Sequence, residues 1–393
     1  MNFQGNVKIL VVDDEIDLEP LIRQKFRRQI REGVYNFVFA LNGLEALSRI
    51  IEFPEIGIVL SDINMPEMDG LTLLTKLKEL QNPGLKTVIV SAYGDMDNIR
   101  TAMNRGAFDF VTKPVNFDDL EITINKTLDE INLIRRSMAE HDQLVSIQQD
   151  LNTAREIQLS IIPKIFPAFP GLNSFDVYGS MVAAKEVGGD FFDFFLIDSN
   201  HLGFVIGDVS GKGIPAAIFM AISRTLIRAV GIKGVSTSEC LSLVNSLLCK
   251  DNISSMFVTV FYGILNISTG ELEYVNAGHN PPYVVSDSGV KAVEMTGGMV
   301  LGVFDDIDYQ SKILQLNPGE RLFLYTDGVT EANDINNELL GEERLEKFLS
   351  SRSNSPIEDI VREAFHEVNT FASGMPQFDD VTILAILYNG QGK

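Results

Sequence analysis

A chain of 393 residues is longer than one ordinary domain, so two or three are expected. With 45% hydrophobic and 22% charged residues it is globular, which excludes a disordered chain. A net charge of −22 argues against binding to nucleic acid or to an acidic membrane, and suits sites that hold metal ions by carboxylates.

No basic-then-apolar leader pattern opens the chain and no run approaches 18 apolar residues, so a cytoplasmic protein that does not enter the membrane is expected. Residues 8–12 form a continuous apolar run ending in Asp13-Asp14-Glu15. Residues 58–61 end in Asp62, residues 87–90 in Ser91, and residues 108–112 in Lys113-Pro114. Helical patterns lie between them over residues 18–31, 43–53, 70–80 and 96–105. This alternation predicts a doubly wound α/β sheet with its ligand site at the carboxyl ends of the strands. Three carboxylates at that edge can hold Mg²⁺, one of them can attack a phosphoryl group, and a lysine and a hydroxyl can bind the phosphoryl oxygens. A single Asp after a strand is most often a cap or a turn. Five matching positions in order argue for a site.

The motifs Val11-Val-Asp-Asp-Glu15, Ser61-Asp-Ile-Asn-Met-Pro66, Ser91-Ala-Tyr93 and Phe110-Val-Thr-Lys-Pro114 closely resemble the receiver domain of two-component response regulators. The resemblance covers residues 1–125 and implies a flavodoxin-like fold. It implies that Asp62 is the phosphoacceptor, phosphorylated by a cognate histidine kinase. Asp13 and Asp14 would bind Mg²⁺ with Asp62 and the backbone carbonyl of Asn64. Ser91 and Lys113 would bind the phosphoryl group, and Phe110 would be the aromatic switch residue.

Residues 118–160 contain neither Pro nor Gly, and apolar residues recur at steps of three or four from Leu120 to Ile161. A long helical linker over residues 118–162 is predicted. Its apolar seam calls for a partner, so a homodimeric coiled coil is expected, with a helix packed along its own domain as the alternative. His141 interrupts the seam as a polar residue.

Residues 163–393 form the last expected domain. Strand-like runs occur at residues 177–181, 191–197, 202–206, 257–265, 272–276, 283–285, 321–325 and 381–387. Helical patterns occur at 214–230, 237–249, 342–351 and 356–372. Cys240 and Cys249 fall in one of them without metal-ligand spacing, and are expected as free buried thiols. A hairpin of the second and third runs would bring Asp190 and Asp208 together, and two such carboxylates repel unless a cation lies between them. Asp327 and the pair Asp379-Asp380 also stand at strand ends.

Gly188-Gly-Asp-Phe-Phe-Asp193, Gly207-Asp-Val-Ser-Gly-Lys-Gly213, Asn276-Ala-Gly-His-Asn-Pro-Pro282, Thr326-Asp-Gly328 and Asp379-Asp-Val-Thr382 resemble, in order, the metal-dependent PPM-type Ser/Thr protein phosphatases of the stage II sporulation protein E-like branch. The resemblance implies an αββα sandwich with two Mn²⁺ or Mg²⁺ ions. Asp208 would bridge them, with the Val209 carbonyl on one, Asp327 and Asp379 completing one, and Asp190 ligating directly or through water. Asp193 and Asp380 are second choices. Lys185 stands where larger eukaryotic relatives hold the substrate phosphate with an Arg, and His279 reads as structural or substrate-side. The implied substrate is a phosphoserine or phosphothreonine protein, an anti-sigma-factor antagonist of the STAS type. The alternative reading is a phosphorylation-controlled binding adaptor with an inactive phosphatase fold.

Overall fold

The computed structural model describes residues 7–92, 95–250, 252 and 255–390; Tyr93 of the receiver-like motifs lies outside them. The chain divides into two compact units, Met1–Ile147 and Gln148–Lys393.

In the first unit the elements run β1 (Lys8–Val12), α1 (Leu18–Lys25), α2 (Arg27–Arg31), β2 (Asn36–Ala40), α3 (Gly43–Glu52), β3 (Ile56–Asp62), α4 (Gly70–Glu79), β4 (Lys86–Ala92), α5 (Met96–Arg105) and β5 (Asp109–Lys113), followed by the long helix α6 (Phe117–Ile161). The strands form one sheet in the order β2-β1-β3-β4-β5, parallel throughout. The expected flavodoxin-like arrangement is therefore present. β3 is buried along its whole length, as its unbroken apolar run requires. Two local features differ from expectation. β2 has no counterpart among the predicted runs, because it is a half-buried edge strand with no acidic terminus. The predicted helix over residues 18–31 breaks at Phe26, where φ −96° and ψ 20° leave the helical region. That break puts the Phe26 ring, fully buried, against Tyr35 and Phe37.

α6 is one unbroken helix, as the absence of Pro and Gly predicts. Its first turns belong to the receiver core, where Leu120, Ile124 and Ile131 pack with Ile9, Phe26 and Val111. This corrects part of the predicted seam: Ile131 is 0% exposed and already partnered. Residues 135–150 are exposed without interruption, Met138, Leu144, Val145 and Ile147 among them.

In the second unit the order is β6 (Phe175–Val182), β7 (Phe191–Leu196), β8 (His201–Val209), α7 (Ile214–Gly231), α8 (Thr237–Lys250), β9 (Val258–Asn266), β10 (Glu271–Ala277), β11 (Tyr283–Ser286), β12 (Gly289–Ala292), β13 (Lys312–Gln315), β14 (Arg321–Tyr325), α9 (Asp327–Thr330), α10 (Gly341–Ser350), α11 (Ile357–Ala372) and β15 (Val381–Tyr388). Two five-stranded sheets result, β13-β10-β9-β8-β7 and β12-β11-β14-β15-β6. The period of two along each strand sorts the side chains. Phe192, Phe204, Ile206, Leu322, Leu324, Leu384 and Ile386 meet between the sheets. Phe191, Phe195, Val205 and Val260 face α7 and α8. Phe323, Tyr325, Ile383 and Ala385 face α10 and α11. The expected αββα sandwich is therefore present. Among the described residues α7 alone is long and apolar enough, by length and composition, to cross a membrane. Here it packs on β7, β8 and α8, with Met220 and Ile227 fully buried. Both cysteines are free; Cys240 is buried and Cys249 half-buried.

Candidate functional site

The first unit gathers its acidic residues at the carboxyl ends of β1 and β3. Carboxylate oxygens of Asp13, Asp14 and Asp62 lie within 4.8 Å of one another, so the three could hold a cation. Asp13 and Asp62 are buried and Asp14 is exposed. Lys113, at the end of β5, places its Nζ 2.9 Å from Asp13 Oδ2, 2.9 Å from Asp62 Oδ2 and 3.1 Å from Glu15 Oε1. Burial works against the Lys113 charge, yet the bonds to Asp13, Asp62 and Glu15 outweigh it and hold the ammonium above its ordinary range. Asp13 is shifted up, because its burial exceeds the help from Lys113. Ser91 is buried at the end of β4 and donates from Oγ to Asp95 Oδ2 at 3.4 Å. Asn64 is exposed just beyond Asp62, and Phe110 is 38% exposed on β5. Glu15, part of the motif but given no role there, is a third carboxylate on Lys113.

In the second unit the acids stand where the two sheets open. β7 and β8 pair with Phe191 opposite Gly207, which sets Asp190 beside Asp208. Both occupy even positions, the parity that faces the other sheet. From that sheet Thr326, just after β14, donates to Asp190 Oδ2 at 2.7 Å. Burial first, then the charges of Asp208 and Asp380, push the Asp190 carboxyl well above its usual value. Burial and the neighbouring Asp327 raise Asp208 to about 7. Burial and Glu331, then Asp379, raise Asp327 to about 6. Such mutually repelling carboxylates, drawn from four separate chain segments, make a donor set that fits hard divalent cations. Lys212, in the loop after β8, puts its Nζ 2.9 Å from Asp379 Oδ2.

The backbone beside Asp190 is held tightly. A Cβ on Gly189 would stand 2.8 Å from the Val209 carbonyl oxygen, so only glycine allows this approach. Gln158, near the end of α6, donates to the Gly188 carbonyl at 2.6 Å and accepts from the Gly188 N–H at 3.1 Å. Asp380 accepts backbone N–H groups of Ala184 at 2.8 Å, Gly189 at 2.6 Å and Asp190 at 3.4 Å, which makes it a clasp between loops. Asp193 departs from its place as a second-choice ligand. It has the opposite parity to Asp190, is fully buried on the α7 side of β7, and is bound by Arg228 at 2.6 and 2.8 Å and Arg224 at 2.9 Å. His279 is buried too, with Nδ1 2.9 Å from Thr259 Oγ1 and its backbone N–H on Asn276 Oδ1 at 2.8 Å. Burial lowers it to about 4, so it is a neutral structural imidazole. Lys185 is exposed. Gln158, Thr326 and Lys212 carried no predicted role; Thr326 and Lys212 lie inside quoted motifs, whereas nothing in the helical pattern marks Gln158.

A parallel-sheet domain with an acid–lysine pocket, joined to a two-sheet sandwich with converging carboxylates, defines a two-part signalling protein with a receiver and an output domain. Residues 9–125 match the response regulator receiver domain family, and residues 198–389 match the family Stage II sporulation protein E (SpoIIE). The chain thus joins a receiver domain to a SpoIIE-type phosphatase domain of the PPM class. It is 30% identical to Protein IcfG of Synechocystis sp. over 69% of its own length and 46% of that protein's. It is 28% identical to Phosphoserine phosphatase RsbU of Bacillus subtilis over 63% of its length and 73% of that protein's. It therefore spans less than half the length of IcfG. Among solved structures, the SiaA-PP2C domain of Pseudomonas aeruginosa superposes with a TM-score of 0.55, 20% identity, and coverage of 63% of this chain and 98% of that one, which shows the sandwich fold.

Proposed function

We propose that this chain is a response regulator whose output is hydrolysis of a phosphoserine or phosphothreonine ester on a protein, under control of phosphorylation at Asp62. One observation carries the reading: Asp190, Asp208, Asp327 and Asp379 come from four segments on two sheets, and burial together with neighbouring carboxylates pushes the carboxyls of Asp190, Asp208 and Asp327 above their usual range. A fold keeps such repulsion where a ligand relieves it. When bound, Mg²⁺ or Mn²⁺ ions supply an activated water and offset the charge of the phosphoryl group. Asp208, Asp327 and Asp379 hold them, Asp190 is oriented toward them by Thr326, and the Val209 carbonyl adds an uncharged ligand. Gln158 fixes the Gly188 backbone from which Asp190 projects.

In the receiver, Asp62 accepts the phosphoryl group from a histidine kinase, giving an acyl phosphate. Asp13 and Asp14 hold Mg²⁺ with Asp62 and the Asn64 carbonyl. Lys113 and Ser91 bind the new oxygens, and Phe110 turns inward with them. The similarity to a phosphoserine phosphatase supports a protein substrate, and the family resemblance points to a STAS-type anti-sigma-factor antagonist in a partner-switching pathway. The test is release of phosphate from a phosphorylated STAS protein with Mn²⁺, with and without acyl phosphate on Asp62. Activity lost in Asp208→Asn and altered by receiver phosphorylation is expected. Intact partner binding without turnover would favour the adaptor reading.

A further inference from the structure

The acidic cluster carries a cation of its own. Lys212 Nζ lies 2.9 Å from Asp379 Oδ2, donates to the Phe378 carbonyl, and rests 4.1 Å from the Phe378 ring centroid. These contacts join the loop after β8 to the loop before β15, 166 residues apart. Its side chain is 29% exposed and that of Asp379 26%, so the pair is open to exchange with ions from solution. Gly211 and Gly213 flank the lysine with φ of +86° and +81°, and nothing lies within 4 Å of where their Cβ atoms would stand. The backbone on either side of Lys212 is therefore not wedged against packed side chains.

An ammonium and a divalent cation on one carboxylate oxygen would be like charges a few ångströms apart, which is strongly unfavourable where water is partly excluded. One must leave for the other to bind. We propose that Lys212 is an internal counter-cation that a divalent ion has to displace from Asp379, and that it thereby sets the affinity of the cluster for metal. The proposal rests on the reading of this cluster as a metal centre. Its sign is distinctive. Removing a ligand, or a residue that merely ties two loops together, weakens metal binding; removing a competitor strengthens it.

The experiment is calorimetric titration of the full chain with Mn²⁺, in an Asp13→Asn background that silences the receiver's own site. Lys212→Gln is expected to bind about two- to fivefold tighter than its parent, the range a partly exposed ion pair supplies. Lys212→Arg, which keeps the charge, should bind as the parent does. Lys212→Met serves as a second neutral variant should the glutamine perturb the loop. Equal or weaker Mn²⁺ binding in the neutral variants overturns the proposal. Asp208→Asn in the same background separates the two ideas. If it binds Mn²⁺ as well as its parent, the metal-centre reading fails; if it loses binding while the neutral variants gain none, only the role of Lys212 fails.

Discussion

Asp190 and Asp193 lie three residues apart and have opposite fates. The difference is parity along β7: Asp190 faces the second sheet, whereas Asp193 shares its face with Phe191 and Phe195, beneath α7. The expectation of Asp193 as a spare ligand rested on the motif and weighed neither this alternation nor the arginines, since Arg224 and Arg228 reach it only once α7 has docked. A fully buried carboxylate with two guanidinium partners is structural, and breaking it leaves buried charge without compensation. Asp193→Asn should therefore destabilise the phosphatase unit by about 3 kcal/mol in chemical denaturation. Its Mn²⁺ affinity should stay within about twofold of the parent, a difference of under half a kcal/mol. A large loss of affinity at unchanged stability would return Asp193 to the ligand set.

At the scale of elements, α6 serves in two different environments. Ile131 sits in the receiver core, so an Asp there removes a well-packed aliphatic and buries a charge; loss of several kcal/mol of receiver stability is expected. Leu144 is 66% exposed, so Leu144→Asp should leave receiver stability unchanged and shift the chain toward monomer in sedimentation. Equal mass for parent and Leu144→Asp would count against the coiled-coil dimer. The helix itself was plain in the sequence, since its three-to-four spacing is a local property. Which of its apolar positions are already covered was not, because that depends on where the receiver core ends. β2 escaped for a related reason: its apolar run, Phe37-Val-Phe-Ala40, packs on both faces of the sheet but ends in no acid, hydroxyl or amine, unlike the four strands that end in chemistry. The candidate ligands were legible because strand ends are where such folds assemble sites. Gln158 was not, since its amide is one polar group among many on a helix until Gly188 is brought against it.

For the molecule as a whole, proton uptake by the phosphatase carboxylates links fold, metal and pH. Asp208 titrates at about 7 and Asp327 at about 6, against an ordinary carboxyl near 4. Both are raised, so between pH 4 and 7 the folded state holds protons that the unfolded chain has released. The stability they contribute to the metal-free unit is present at the acid end, falls as pH rises through that window, and is lost above it. Chelator-treated protein should accordingly show a phosphatase-unit transition that drops between pH 4 and 7, more steeply in the parent than in Asp208→Asn. Saturating Mn²⁺ displaces the same protons and should flatten the dependence. Identical slopes with and without Asp208 would remove these carboxylates as the cause.

The exposed middle of α6 has a consequence of a different kind. Residues 135–150 touch no core, and a helix of that length standing alone in water is marginal. Its helicity is therefore lent by whatever covers its apolar side chains, and when the cover is a second copy, mass action makes the amount of protein a variable of the fold. The last turn of the same helix carries the glutamine that clasps Gly188. Dilution would then loosen more than an association: it would lower the order of the segment that leads into the Gly188 backbone, so that abundance would itself become an input to the acidic site.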